Sequence, residues 1–180
     1  MSESQPKIVQ FETDATLKIL ELVEQFCERG RTEDHPQFVI VSGGPAAGKT
    51  TARRQEFPTG YVHFDGGDIV LEMNKLFDAE DPKMSAYLSF AGEYVVSTAI
   101  ADKKNIVIEI IGDNLNLLKP IIEKIIQLGY KVTTMPIVSD PMASWDWYQK
   151  ATKEDPEYMS CQFYEGLVYS SLYIALGIEK

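Results

Sequence analysis

Histidine and cysteine are scarce: the 180 residues hold two of each, His35 and His63, Cys27 and Cys161. The cysteines lie far apart and lack the spacing of metal ligands, so they read as reduced structural thiols of a cytoplasmic protein. His63 falls in an apolar run, where a hydrogen-bonded imidazole is the plain reading, and His35 falls in a polar loop. No stretch approaches the ~18 apolar residues needed to span a bilayer, and the start MSESQPKIVQ has no apolar core of signal-peptide type. Positive charge is short as well. Seventeen Lys and Arg face 27 Asp and Glu, the net charge is −10, and no arginine follows Arg54. A nucleic-acid backbone demands a basic face, so the balance argues against a nucleic-acid partner.

Against these gaps stands one dense motif, VSGGPAAGKTTARR, from Val41 to Arg54. Its spacing fits the phosphate-binding loop G-x-x-x-x-G-K-[ST]. Gly43, Gly44, Pro45, Ala46, Ala47, Gly48, Lys49, Thr50 and Thr51 make up the candidate nucleotide-binding loop. Successive backbone N–H groups and the positive end of the following helix form an anion cradle. Lys49 is placed to reach the β- and γ-phosphates of ATP or GTP, and Thr50 to ligate Mg2+. The flanks agree: FVIVS is a β-branched run of the kind buried in a parallel sheet, and KTTARRQEF can continue as a helix.

The rest of the chain alternates. Residues 13–30 predict a helix carrying Leu17, Leu20, Val23 and Cys27 on its apolar face, with Thr13 or Asp14 as cap. Strands are predicted at Phe38–Ser42, Tyr61–Asp65, Asn105–Ile111 and 130–138, with a helix opening at Asp68, a long helix after DAEDP, and one around LKPIIEKIIQLG. The long helix places Tyr87, Ala91, Tyr94, Val95 and Thr98 on one face. From Pro141 the chain reads as helical with a break at KEDPE. Strand–helix alternation implies a three-layer α/β fold with a mostly parallel sheet flanked by helices. The expectation is a single domain over 1–180: the N-terminal helix, a nucleotide-binding core over 38–138, and a helical lid and C-terminal helix over 140–180.

Sites in such sheets lie beyond the carboxyl ends of the strands. Two strand ends there carry carboxylates. HFDGGDIV places Asp65 and Asp68 beside the loop, as a proton acceptor, a magnesium-water ligand or, for Asp68, a helix cap. IVIEIIGDN places Glu109 inside an apolar run, where a charge is costly unless it faces metal, water or substrate. Asp113 reads as a turn or cap residue. The late aromatics Trp145, Trp147, Tyr148, Tyr158, Phe163, Tyr164, Tyr169 and Tyr173 suit helix packing better than stacking on a base.

With these pieces in order, the chain resembles the zeta-toxin group of P-loop kinases from about Phe38 to Pro156. The resemblance rests on GGPAAGKTTARR, HFDGGDIV, NIVIEIIGDN followed by LLKPIIEKIIQLGYKV, and SWDWYQKATKEDP. It implies phosphorylation of a sugar hydroxyl of a UDP-amino-sugar precursor of the cell wall. Lys49 would bind phosphate, Asp68 or Asp65 would act as base, and Glu109 would hold substrate, with Arg53 a further substrate contact. The group's Asp-x-Asp pair is here Asp-x-x-Asp. Its lid arginine corresponds to Trp147, and a second arginine falls near Ser160 or Cys161, which leaves Lys150 and Lys153 as the lid cations. Two other readings stand beside the kinase: a nucleotide-binding module that regulates, or is regulated by, a protein partner, and a polynucleotide 5′-hydroxyl kinase.

Overall fold

The structure is a computed structural model that describes residues 12–162 and 164–178, without the side chain of Tyr158. The start MSESQPKIVQ, the Tyr158 ring and Phe163 therefore lie outside the described residues. In chain order the elements are α1 (Thr13–Glu28), β1 (Gln37–Ser42), α2 (Lys49–Glu56), β2 (Val62–Phe64), α3 (Gly66–Leu76), α4 (Met84–Ala101), β3 (Ile106–Ile110), α5 (Leu115–Gln127), β4 (Lys131–Pro136), α6 (Pro141–Glu154), α7 (Pro156–Cys161) and α8 (Glu165–Ala175).

The four strands form one parallel sheet in the order β2-β3-β1-β4. Side chains alternate across a strand, so β1 divides its residues between two cores. Phe38 and Ile40 join Val62, Phe64, Ile106, Ile108 and Ile110 in the large cluster beneath α1, α4, α5 and α8. Val39, Val41 and Val107 face the other way, toward Phe57, Tyr61, Met135 and Ile137. β1 is thus apolar on both faces, as a parallel strand between helices must be, and β3 departs from this only at Glu109. Burial of each such Val or Ile contributes about 1.5–3 kcal/mol before entropy is charged against it. The α/β architecture matches the sequence reading.

Three local expectations change. In α1 the buried face is Ile19, Leu22, Val23, Phe26 and Cys27, while Leu17 and Leu20 are exposed. Apolar residues occupy more than half of that helix's circumference, so periodicity alone cannot say which row meets α4. Tyr94 on α4 is likewise exposed, and Gly92 and Val96 are buried instead. Finally, α3 opens at Gly66, with Asp65 as its cap: the Asp65 carboxylate accepts from the Asp68 amide at 3.0 Å. The two glycines are there for close approach. A β-carbon on Gly67 would sit 2.6 Å from the Cys161 carbonyl oxygen, and one on Gly66 would collide with the Tyr164 backbone. Their absence lets the α7–α8 junction rest on the first turn of α3.

Candidate functional site

Beyond the carboxyl end of β1 the loop turns through Gly43 to Gly48 into α2. Ala46 and Gly48 both adopt positive φ, 56° and 94°, and glycine takes the second without strain. The Lys49 ammonium folds back to donate to the carbonyls of Gly43 and Gly44, each at 2.9 Å. Burial lowers its pKa, and Glu109, Glu165 and Asp65 restore part of the loss. A ring of backbone amides with an ammonium over its mouth is chemistry suited to phosphate oxygens.

Glu109 rises from β3 directly beneath. Its Oε2 accepts from Thr50 Oγ1 at 2.9 Å, and its Oε1 accepts a short bond from Arg53 Nε. The other end of Arg53 donates to Asp68 Oδ2 at 2.9 Å. The guanidinium is 1% exposed. Burial opposes its charge, but Glu109, Asp68 and Asp65 outweigh that and hold its pKa above the usual arginine value. Arg54 approaches the second oxygen of Asp68 at 3.6 Å. Asp68 thus sits between two guanidiniums, while Asp65 stands apart. Asp65 is 7% exposed. Its carboxyl is pushed up to about 6, first by burial and then by the Glu109 and Asp68 charges, with Arg53 opposing.

A cavity of about 310 Å3 opens where these elements meet. Its walls include Pro45 to Thr51, Asp65, Gly66, Gly67, Glu109, Trp147, Tyr148, Gln162, Tyr164 and Glu165. Of the candidate residues, the loop from Pro45 onward, Asp65 and Glu109 come together there. Gly43, Gly44, Arg53 and Asp68 do not line it. Lys150 and Lys153 are on α6, also outside the lining; Lys150 faces Glu154 at 3.8 Å. Trp147 and Tyr148, read from the sequence as core or interface aromatics, wall the cavity, and no residue of α6 is buried. Tyr169 and Tyr173 do pack in the core. His63 is hydrogen-bonded as expected, its Nε2–H donating to the Phe57 carbonyl at 2.7 Å.

Two lining residues carry no motif and escaped the sequence reading. Glu165, at the start of α8, accepts from the backbone amides of Ile111 and Gly112 at 2.8 and 3.4 Å and so fixes the turn after β3. Gln162 turns a buried amide nitrogen, Nε2, that has no hydrogen-bond partner among the described residues. A second cavity of about 650 Å3 lies on the β4 side of the loop. Gly44, Pro45, Ala46, Ile137 to Ser139, Pro141, Ser144, Trp145 and Tyr148 line it, with no charged residue among them. Trp145 and Tyr148 stack there with ring centroids 5.8 Å apart.

The fold has a known counterpart. A solved chain from the PezAT chromosomal toxin–antitoxin system of the human pathogen Streptococcus pneumoniae superposes with a TM-score of 0.60 at 16% identity, over 86% of this chain and 70% of that one. Among curated proteins, no sequence matches this chain. The family model described as Zeta toxin matches residues 24–169, from α1 through the first turns of α8. By that match, which takes in the loop, both carboxylate-bearing strand ends and the aromatic helix, the chain belongs to the Zeta toxin family.

Proposed function

We propose that the protein is a kinase that transfers the γ-phosphoryl group of ATP to a hydroxyl of a small molecule. One observation carries the reading: a single cavity has the amide-rich loop on one side and two strand-end carboxylates, Asp65 and Glu109, on the other. The loop amides would hold the donor's phosphates, and Lys49 would exchange its two carbonyl partners for phosphate oxygens. The uncharged cavity beside β4 would take the base, against Trp145 and Tyr148. Thr50 and Glu109, whose oxygens are already 2.9 Å apart, are the hard-oxygen pair that would hold Mg2+ or its water. When bound, that ion neutralises charge on the transferring phosphate.

Asp65 is the better base of the two aspartates. It lines the cavity, whereas Asp68 is engaged by Arg53 and Arg54. A carboxyl with a pKa of about 6 is ionised at neutral pH yet basic enough to accept a proton. The acceptor's O–H bond breaks, its proton passes to Asp65, its oxygen forms the new P–O bond, and ADP leaves with the electrons of the old one. Arg53 holds Glu109 and Asp68 in position from below. A cytoplasmic site of action fits two buried free thiols and the lack, among the described residues, of any helix long and apolar enough to cross a membrane.

Labelled ATP incubated with a panel of sugars, nucleosides, sugar nucleotides and water tests the reading. Transfer to a small-molecule hydroxyl, lost in Asp65→Asn, is the expected result. ATP binding without transfer to any acceptor would overturn it in favour of a nucleotide-dependent binding module. That second reading draws on the lid, where the aromatic Trp147 stands and no arginine follows Arg54. A partner protein that occludes the cavity or lends it a guanidinium would act on this face, and the toxin–antitoxin setting of the Streptococcus chain supports looking for one. Transfer to a polynucleotide 5′-hydroxyl stays the least favoured reading, given the net charge of −10.

A further inference from the structure

From the bonds that converge on the turn after β3, we infer that Glu165 is a positioning residue for the phosphate-binding loop: through that turn it fixes where the loop leaves β1. This role rests on the nucleotide-binding half of the kinase reading and brings to it a residue more than a hundred positions beyond the motif. At its root the loop leans on β3. The Gly43 amide donates to the Ile110 carbonyl at 3.3 Å, and the Gly43 carbonyl in turn accepts from the Lys49 ammonium at 2.9 Å. The two residues after Ile110 turn away toward α5. Gly112 does so in the left-handed region, at a φ of 75°, and a β-carbon on it would lie 3.1 Å from that of Ser42, the last residue of β1. The turn therefore packs against the foot of the loop.

What holds the turn is one atom. Both of its amides, Ile111 and Gly112, donate to Glu165 Oε1, at 2.8 and 3.4 Å. Bonds from amides to a carboxylate are charge-assisted and so stronger than those to a neutral acceptor. A glycine on its own has no preference for the conformation that Gly112 keeps, so the carboxylate selects it. Glu165 can act as an anchor because its helix is fixed. Helix α8 buries Val168, Tyr169, Ser171, Leu172 and Tyr173, and the bare Gly66 lets the Tyr164 backbone rest on α3 just before it. A loop whose amides are aimed before the anion arrives binds it more tightly than one that must be ordered on binding. The Glu165 charge has a separate effect: with Glu109 and Asp65 it favours the protonated form of Lys49. Reach and charge are distinct contributions, and the positioning role belongs to reach.

Three variants of the full chain separate these contributions, each titrated calorimetrically with a non-hydrolysable ATP analogue and Mg2+ and each unfolded in denaturant. Glu165→Asp keeps the charge in the first turn of α8, where an acidic residue is favoured, but draws the oxygen back from the amides by one methylene. It should weaken the analogue by about fivefold or more, a partial loss of hydrogen bonds to a charged acceptor. Glu165→Gln keeps an oxygen within reach and removes the charge, and should restore affinity to within about twofold of wild type. Tyr173→Phe removes another tether of α8, the bond from the Tyr173 hydroxyl to the Leu117 carbonyl at 3.1 Å. It should lower the unfolding midpoint and change affinity by less than about twofold. Wild-type affinity in Glu165→Asp overturns the positioning role and leaves the kinase standing. Weakening in Glu165→Gln as large as in Glu165→Asp assigns the effect to charge and overturns it as well, and equal weakening in Tyr173→Phe does so by showing a general loosening of α8. The expected pattern in a protein that binds the analogue but transfers phosphate to no acceptor upholds the positioning role and overturns the kinase.

Discussion

The floor of the cavity and its lid are built on opposite principles. The floor is a closed polar network: Arg53 joins Glu109 to Asp68, Glu109 holds Thr50, and Asp65 caps α3. Its members come from α2, from β3 and from the start of α3. Helix α6, expected to be the lid, buries no residue; Trp145 and Trp147 stand exposed and Tyr148 is half-buried where the two cavities are lined. The floor is preorganised, so its geometry exists before any ligand arrives, at the cost of desolvating charges. Helix α6 contributes exposed aromatic surface, Trp145 and Trp147. Chemistry should therefore depend on the floor, and affinity on the lid.

The sharpest way to break this contrast is Arg53→Met. The change preserves bulk but leaves Glu109 and Asp68 without their shared cation, and breaking a buried pair costs about 3–5 kcal/mol. Denaturant unfolding should show a loss of that size. A loss under about 1 kcal/mol would mean that the network contributes little beyond packing.

Asp65→Asn comes next. Turnover should fall by about a hundredfold with ATP affinity retained, because general-base catalysis supplies about 10²–10⁴. An asparagine still caps α3. This change also has a pH signature. The native carboxyl, pushed up to about 6 from an ordinary 3.8, binds its proton more readily than the unfolded chain does. Its charged form therefore destabilises the native state, and that penalty grows as pH rises through the interval between the two values. Asp65→Asn should unfold at a higher temperature than wild type at pH 7, with the gap closing toward pH 4. A gap that widens on acidification would show that Asp65 is stabilised as a carboxylate. Wild-type turnover should fall below pH 6 for the same reason.

Lys49→Ala should weaken ATP by about tenfold or more, ~1.4 kcal/mol, by calorimetry. The smallest effect belongs to the lid. Trp145→Ala should weaken nucleotide binding by about two- to tenfold, one aromatic contact of about 0.5–1.5 kcal/mol, with the unfolding midpoint unchanged. A lowered midpoint would place the lid in the core and dissolve the contrast.

The floor was half legible in the sequence. The loop, β3 with its misfit Glu109 and the alternation of elements follow from local spacing, whereas the sheet order β2-β3-β1-β4 departs from the order along the chain. Other features needed the third dimension. Arg53 sits in KTTARRQE, whose pattern describes a solvated helix; its burial depends on a glutamate 56 residues away. The roles of Asp65 and Asp68 are separated by two guanidiniums and by which aspartate precedes the first helical turn. Gln162 and Glu165 belong to no motif and reach the cavity only because Gly66 and Gly67 let the α7–α8 junction approach α3.

The clamp formed by Arg53 also constrains the order in which the molecule can be made. Helix α2 has eight residues, and Ala52 is its one apolar side chain. Such a short polar segment does not hold a helix alone in water. Arg53 ties it to Asp68 and to Glu109, and the glutamate leaves the ribosome more than fifty residues later. A nascent chain that has emerged only through α4 carries the whole phosphate-loop motif and the Asp68 partner of Arg53, yet lacks Glu109 and the strand β3 that stands between β2 and β1. The phosphate loop is set when β3 inserts beside β1, so the capacity to grip nucleotide arrives late in synthesis.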